Sequence, residues 1–220
     1  MRLFSRAGAC RRMTWVVVVV AALFAMMVGL GLFLDWPPSV GNGAAYVAAF
    51  ALGIGIRIGL ASQVAYAIAG LRAGGFWELL LTTPLTQKRV LTGLAGATWR
   101  LWAAPAAFQI VLQLAPWLLT FIAAFDPQAG VLLLIGPVQG AVFALDLLTL
   151  YYVCAWFALS SGKPGVAVVR ALVFTQVLPS LVCCWGILRI VTDLVFLSVA
   201  IGRLNTDWRV WIEKQGRRSD

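Results

Sequence analysis

Long apolar stretches separated by short polar or basic segments make up most of the chain. Six of these stretches have about 18 residues or more, and a helix needs roughly 17–25 residues to cross the hydrocarbon core of a bilayer. They occupy, in chain order, residues 14–34, 44–70, 101–125, 130–160, 165–185 and 187–204. The pattern therefore predicts an all-α, polytopic integral membrane bundle with about six transmembrane helices in residues 14–204.

The first two predicted spans differ in how strongly they favour the membrane. Residues 14–34 contain twelve Val, Leu or Phe, which together contribute roughly −4 to −7 kcal/mol near the bilayer centre. This span is predicted to insert unaided, and it exceeds the roughly 7–15 apolar residues of a cleaved signal peptide. Residues 44–70 contain Arg57, which costs about 3 kcal/mol at mid-membrane. The second span therefore needs partner helices.

Small residues at helical spacing mark faces on which two helices can approach closely. Gly55 and Gly59 form one GxxxG step, and Gly136 and Gly140 form another. Such steps let the backbones of two membrane helices come into contact. The spacing alone does not say which helix each step meets.

The last apolar stretch, residues 166–204, is too long for a single membrane helix. A turn signal precedes it, because Lys163, Pro164 and Gly165 follow two serines. The stretch is either two spans that meet near residues 185–189 or one span with a re-entrant element. The residues leave both possibilities open.

Composition and the position of the charges favour a membrane over a nucleic acid as the partner. Of the 220 residues, 62% are hydrophobic and only 11% are charged, whereas a soluble domain carries about 25% charged residues. The net charge is +9, but basic residues gather beside the apolar stretches. Those near the two termini are Arg2, Arg6, Arg11, Arg12, Arg203, Arg209, Lys214, Arg217 and Arg218. This distribution is typical of membrane-flanking charge rather than of a nucleic-acid-binding stripe.

The same charges predict the orientation of the chain. The segments that carry Lys or Arg are residues 1–13, the loop 71–100, the turn at Lys163 and the tail 205–220. The loops 35–43 and 125–129 carry one Asp each and no basic residue. Because basic loops stay on the cytoplasmic side, both termini are predicted to be cytoplasmic, with a short N-terminal segment and a basic C-terminal tail. The chain is predicted to be a multi-pass protein of the inner or plasma membrane.

The loop at residues 71–100 has the features of a short helix on the membrane surface. Thr83 suits the N-cap, Pro84 the first helical position and Gly93 the C-terminal stop. Between them, apolar residues alternate at helical spacing with a polar run that includes Lys88 and Arg89. An amphipathic helix of this kind lies along the cytoplasmic boundary of the bilayer. By physics alone, an ordinary amphipathic connector explains the pattern equally well.

Residues 75–86 read GFWELLLTTPLT, with Gly93 after them. This run resembles the G-x-x-E-x-L-L-x-T-P-L-S…G signature of ABC type-2 (ABC-2) export permeases, which lies between the second and third spans of that family. The resemblance covers about 20 residues, and the layout of the other spans is compatible with it. It implies a coupling helix that contacts a separate ATPase subunit, with an ATPase-coupling region formed by Glu78, Thr83, Pro84, Leu85, Lys88 and Arg89.

The resemblance also implies partners and a cofactor arrangement. No GxxxxGK[ST] phosphate loop occurs in the sequence, so ATP is expected to bind to the ATPase subunit and no cofactor is expected on this chain. A second permease subunit, identical or different, is expected to complete a dimer. Residues 1–13 are short for the N-terminal amphipathic helix of the family, and the chain could be half of a split permease. The transported substrate cannot be read from the residues.

Two pairs of charges lie inside the predicted spans. Arg57 and Asp146 are about 13 and 16 residues from the outer ends of their spans, so their depths agree within roughly 5 Å at 1.5 Å per residue. We predict that they pair, because an isolated mid-membrane charge is costly; the alternative is that each faces water or a partner subunit. Arg189 and Asp193 are four residues apart, and this spacing predicts a local pair on one helix face.

The same residues give less support to two other functions, those of an intramembrane enzyme and of an ion-coupled carrier. An intramembrane enzyme needs a nucleophile with a base or clustered carboxylates, but the chain has no His and only eight Asp and Glu. Its four Cys residues have no metal-binding or redox spacing. An ion-coupled secondary carrier built around Arg57 and Asp146 is the stronger alternative, although such carriers often contain inverted repeats, and the two halves show no repeat by residue identity. The chain is therefore predicted to be a transport subunit rather than an enzyme.

Overall fold

The computed structural model describes residues 38–73, 87–124, 129–161, 163–179 and 186–216. This part of the chain is entirely helical, with five α-helices and no strand. The helices are α1 (Pro38–Ala73), α2 (Gln87–Ala124), α3 (Ala129–Ser161), α4 (Pro164–Leu172) and α5 (Gly186–Gly216). A π-helical turn, Val173–Val177, continues α4. The all-α prediction is confirmed for these residues, whereas the predicted first span at 14–34 lies outside them.

Helix α1 begins earlier than the sequence predicted. Residues 38–43 were expected to belong to an outer loop, but they form the first turns of a helix of 36 residues. Pro38 stands at the first position of this helix. Proline is well tolerated there because its missing N–H has no intrahelical partner in the first turn. Pro38 therefore starts a helix in a segment that was expected to be a loop.

Helix α2 runs for 38 residues and passes straight through Gly93. The prediction that a surface helix stops at Gly93, with a separate span beginning near residue 101, is wrong for the described part of this segment. A glycine inside a helix costs only about 1 kcal/mol relative to alanine, and the strong helix formers on both sides outweigh that cost. At 1.5 Å per residue, α2 is about 57 Å long, which exceeds the roughly 30 Å of a hydrocarbon core.

The predicted turn between the fourth and fifth stretches is present. Helix α3 ends at Ser161, Lys163 is extended, and Pro164 occupies the start of α4. Further along, helical structure is described as far as Pro179 and again from Gly186. Whether the last apolar stretch is two spans or one span with a re-entrant element lies with residues 180–185, outside the described part. Helix α5 continues to Gly216 and includes most of the predicted tail.

Two segments of the described helices are long and apolar enough to cross a membrane. They are Phe50–Leu71 in α1 and Pro137–Ser161 in α3. Each lies within a predicted span, 44–70 or 130–160, except for one residue at its C-terminal end. A shorter apolar segment, Pro164–Val177, combines α4 with the π-helical turn.

The chain divides into two compact units, and helices α1, α2 and α3 each contribute residues to both. The described part of the first unit consists of residues 38–56, 101–124 and 129–144. In this unit Gly140 of α3 lies close to α2, because a Cβ atom built on Gly140 would stand 3.1 Å from Cγ2 of Ile110. Gly55, in contrast, faces open space, so the GxxxG prediction holds for Gly140 and finds no close neighbour at Gly55.

The second unit contains residues 57–100 and 145–220, as far as the structure describes them. Its buried positions are rich in small side chains, which let helices approach closely. These small buried residues are Ala61, Ala65, Cys154, Ala155, Ala158, Ala167, Ala171 and Ala200. The thiol of Cys154 on α3 donates to the carbonyl of Ala61 on α1 over 3.1 Å. Ring contacts from Phe157 to Phe174 and from Phe174 to Phe196 join α3, the π-helical turn and α5.

The close approach at Gly140 gives a prediction about stability. We expect Gly140→Val to destabilise the purified protein by about 1–3 kcal/mol, because added side-chain atoms overpack the contact with Ile110. Gly55→Val is the matched control, since it adds the same atoms where no neighbour stands within 4 Å. Thermal unfolding of both variants in the same detergent measures the difference. Equal losses of stability in the two variants would show that the Gly140 contact is unimportant.

Candidate functional site

The carboxylate of Asp146 on α3 is the centre of a buried polar cluster in the second unit. Asp146 has no solvent-exposed side-chain surface. Arg57 on α1 donates to its Oδ2 atom from Nε over 2.8 Å and from Nη2 over 2.5 Å. The ion pair predicted between these two residues is therefore present. Its two donors come from one guanidinium, which fixes the position of α1 against α3.

A second arginine shares the same carboxylate oxygen. Nη2 of Arg189 on α5 lies 3.2 Å from Oδ2 of Asp146. The prediction that Arg189 pairs locally with Asp193 is wrong in this structure, because the fully buried carboxylate on the neighbouring helix takes the guanidinium instead. Both carboxylates are fully buried, but beside Asp146 the same Nη2 atom of Arg189 also donates to Oε1 of Gln176 over 3.2 Å.

The remaining oxygen of Asp146 is occupied by a glutamine. Nε2 of Gln176 donates to Oδ1 over 2.6 Å, and Oε1 of Gln176 accepts from Nη2 of Arg189 over 3.2 Å. Gln176 belongs to the π-helical turn, in which the N–H of Leu178 donates to the carbonyl of Val173, five residues earlier. The extra residue in such a turn rotates the side chains that follow it, and π-helical turns are frequent at functional sites. The turn thereby connects residues 164–179 to the cluster.

Thr149 joins α3 to α5 beside the cluster. The single hydrogen of its hydroxyl is shared between the carbonyl of Leu145, 3.0 Å from Oγ1, and the carbonyl of Asp193, 3.3 Å from Oγ1. Thr149 follows Asp146 by one helical turn, so the backbone of Asp193 lies one turn from the central carboxylate. The described contacts of Asp146 and Thr149 thus hold four separate segments together.

Two buried groups of the cluster have no hydrogen-bond partner in the described structure. Asp193 has no exposed surface, and neither of its carboxylate oxygens has a hydrogen-bond partner. Nε of Arg189 is likewise buried without an acceptor. An unpaired acceptor and an unpaired donor therefore occur one turn apart on α5. Such groups are rare in native proteins because leaving a buried polar group unpaired costs about 1–3 kcal/mol.

The chemistry available to the cluster is the exchange of charge pairs and protons. Its charged members are two arginines and two aspartates, which balance when both carboxylates are ionised. No group of three or more His, Cys, Asp or Glu side chains that suits a metal ion occurs in the part of the chain that the structure describes. The nearby thiol and hydroxyl groups, those of Cys154 and Thr149, are engaged with backbone carbonyls. The arrangement is thus a buried network of ion pairs and hydrogen bonds centred on Asp146.

The predicted ATPase-coupling residues are only partly within the described chain. Glu78, Thr83, Pro84 and Leu85 lie outside the described residues. Lys88 and Arg89 are in the first turn of α2, where the side chain of Arg89 is exposed. No family model, curated protein or solved structure matches the chain.

Sequence reasoning named two members of the cluster without finding their partner, Asp146. Gln176 was one of several glutamines in apolar stretches, and the local sequence VFTQV contains no sign of a π-helical turn. Arg189 was assigned to the wrong carboxylate, since spacing along one helix says nothing about the helix opposite. The rarity of charge in the apolar stretches could have indicated the cluster. Charged residues within membrane helices usually pair with one another, and four of them are Arg57, Asp146, Arg189 and Asp193.

The geometry predicts a ranking of stability losses. Asp146→Asn is expected to cost about 3–5 kcal/mol, because it leaves two partly buried arginines without their shared anion. Arg57→Met and Arg189→Met are expected to cost less, since each leaves Asp146 with the other arginine and with Gln176. Unfolding of the purified variants measures these losses, and Asp207→Asn on the same α5 helix is the control. A smaller loss for Asp146→Asn than for either arginine variant would contradict the shared-acceptor arrangement.

Proposed function

We propose that this chain is the transmembrane permease subunit of an ATP-binding-cassette exporter of the ABC-2 type. In this proposal it is a multi-pass protein with both termini in the cytoplasm, and it forms a dimer with an identical or a different permease subunit. A separate ATPase subunit binds and hydrolyses ATP. The permease converts the motion of that subunit into movement of a substrate across the membrane.

The observation that carries the proposal is the GFWELLLTTPLT run at residues 75–86. It combines an acidic residue, Glu78, with Thr83 and Pro84, whose residue types favour the start of a helix, in the order and spacing of the ABC-2 signature. Its place between two long apolar helices also agrees with that family. A random amphipathic connector has no reason to repeat this order of residues.

The connections of the run support a mechanical role. Residues 74–86 join the C-terminal end of α1 to the start of α2, and residues 57–73 and 87–100 on either side belong to the second unit. Arg57 is about 24 Å along α1 from Ala73 at the helical rise. A force applied to the run therefore enters two helices of the unit that contains the Asp146 cluster. Helix α2 continues without interruption past Gly93, so it can transmit such a force as one element.

The buried charge cluster favours a second candidate, an ion-coupled secondary carrier. Ionisable residues inside membrane helices often mark ion or proton pathways, and Asp146 is surrounded by two arginines and Gln176. A carrier of this kind needs no ATPase. The two candidates therefore differ in whether a nucleotide-binding protein accompanies the chain.

Co-purification distinguishes the two candidates. We expect the tagged full-length chain, extracted from its native membrane in mild detergent, to retain a protein that carries a GxxxxGK[ST] phosphate loop. The control is an equally tagged chain in which residues 75–86 are replaced by a Gly/Ser linker of the same length, and it should lose that protein while still inserting. Retention of the same ATPase by both chains, or by neither, would count against the exporter.

The coupling role of Glu78 gives a functional prediction. In vesicles that contain the permease and its ATPase, Glu78→Arg is expected to lower export at least about tenfold, which corresponds to about 1.4 kcal/mol of lost coupling. ATP hydrolysis should continue, because the ATPase site is on the other chain. Asp126→Arg makes the same charge change in a predicted outer loop and should leave export unaltered. Normal export by Glu78→Arg would remove this residue from the coupling region.

A further inference from the structure

We propose that Asp193 is a proton-binding site and that its proton controls which carboxylate Arg189 contacts. In the described arrangement Asp193 carries a proton and Arg189 contacts Asp146. When Asp193 releases the proton, the guanidinium of Arg189 turns away from Asp146 and pairs with the ionised carboxylate of Asp193, one helical turn further along α5. The inference goes beyond the proposed exporter and does not depend on it.

The first step of the argument is the isolation of the Asp193 side chain. The residue has no exposed surface, and neither carboxylate oxygen has a hydrogen-bond partner in the described structure. An ionised carboxylate in that position would lack both water and a counter-charge in contact, which is the most expensive form of a buried charge. A proton on the carboxyl group removes that charge.

The second step is the set of charges around Asp193. The charged groups that act on it are Asp146 from α3, Arg57 from α1 and Arg189 from its own helix. Arg57 is committed to Asp146 through two donors. Arg189 is the cation available to move, because it contributes only one donor to Asp146, over 3.2 Å, and about a third of its side chain is exposed.

The third step is that the exchange leaves no buried charge without a partner. If Arg189 moves away, Asp146 keeps both donors of Arg57 and the amide of Gln176. The ionised Asp193 gains Arg189 at a spacing of four residues, at which side chains on one helix face meet. The buried Nε of Arg189, which has no acceptor in the described arrangement, gains one. In the described state Arg189 donates to Asp146 and Gln176; in the exchanged state it donates to Asp193 instead.

The chemical step is a simple acid dissociation. The O–H bond of the Asp193 carboxyl group breaks, its electron pair stays on the oxygen, and the proton leaves to water. Nothing is oxidised or reduced. The guanidinium of Arg189 keeps its charge throughout and changes only its partner.

Infrared difference spectroscopy of the full-length protein in lipid nanodiscs tests the proposal. We expect wild-type protein to show a carboxylic-acid C=O band that disappears as the pH is raised from mildly acidic to alkaline values. The band should be missing in Asp193→Asn and retained in Asp207→Asn, which changes another aspartate of α5. A wild-type protein without such a band overturns the proposal even if no variant folds, and so does a band that persists in Asp193→Asn.

A second set of variants tests the exchange of Arg189. In Arg189→Gln the ionised Asp193 has no cation to pair with. The pH at which half of the band has disappeared should therefore rise by about one unit or more, the usual effect of losing a close opposite charge. Arg203→Gln, further along α5, should leave the midpoint where it is. An unchanged midpoint in Arg189→Gln overturns the exchange. Neither experiment involves the ATPase or a substrate, so failure here leaves the proposed exporter function to be judged by its own tests.

Discussion

The organisation of the second unit depends on the burial of one carboxylate. Asp146 has no exposed side-chain surface, and a charge removed from water costs several kcal/mol unless donors surround it. Three different segments supply those donors: Arg57 from α1, Gln176 from the π-helical turn and Arg189 from α5. The need to satisfy Asp146 therefore fixes the positions of helices that apolar packing alone would hold less specifically.

Such a cluster contributes more to specificity than to stability. The attraction within a buried ion pair is largely offset by the loss of hydration, whereas removal of one partner is strongly unfavourable. The buried apolar positions of the second unit are largely alanine, leucine and valine, which pack in many similar ways. A helix rotated or shifted by one residue would bury a comparable apolar area, but it would leave Asp146 or an arginine without a partner. The polar contacts thus select one arrangement among apolar packings of similar energy.

Much of this arrangement follows from the sequence, and the remainder has identifiable physical causes. The pairing of Arg57 with Asp146 was predictable, because two isolated charges at similar depth in apolar helices have few other ways to be satisfied. The partner of Arg189 was not, since its choice depends on which helix faces α5. The π-helical turn has no sequence signature, and the continuation of α2 through Gly93 reflects neighbouring residues that outweigh a weak helix breaker. The resemblance at residues 75–86 concerns residues that the structure does not describe, so it remains a prediction.

The contacts of Asp146 are unequal, and the inequality indicates which helix is able to move. Arg57 reaches Oδ2 through two donors at 2.8 and 2.5 Å and is only 15% exposed, whereas Arg189 reaches it through one donor at 3.2 Å and is 32% exposed. Loss of the first contact would strand a nearly buried cation, but loss of the second leaves both ions of the first pair satisfied. Helices α1 and α3 therefore form the fixed pair, while α5 can change its position or partner at lower cost.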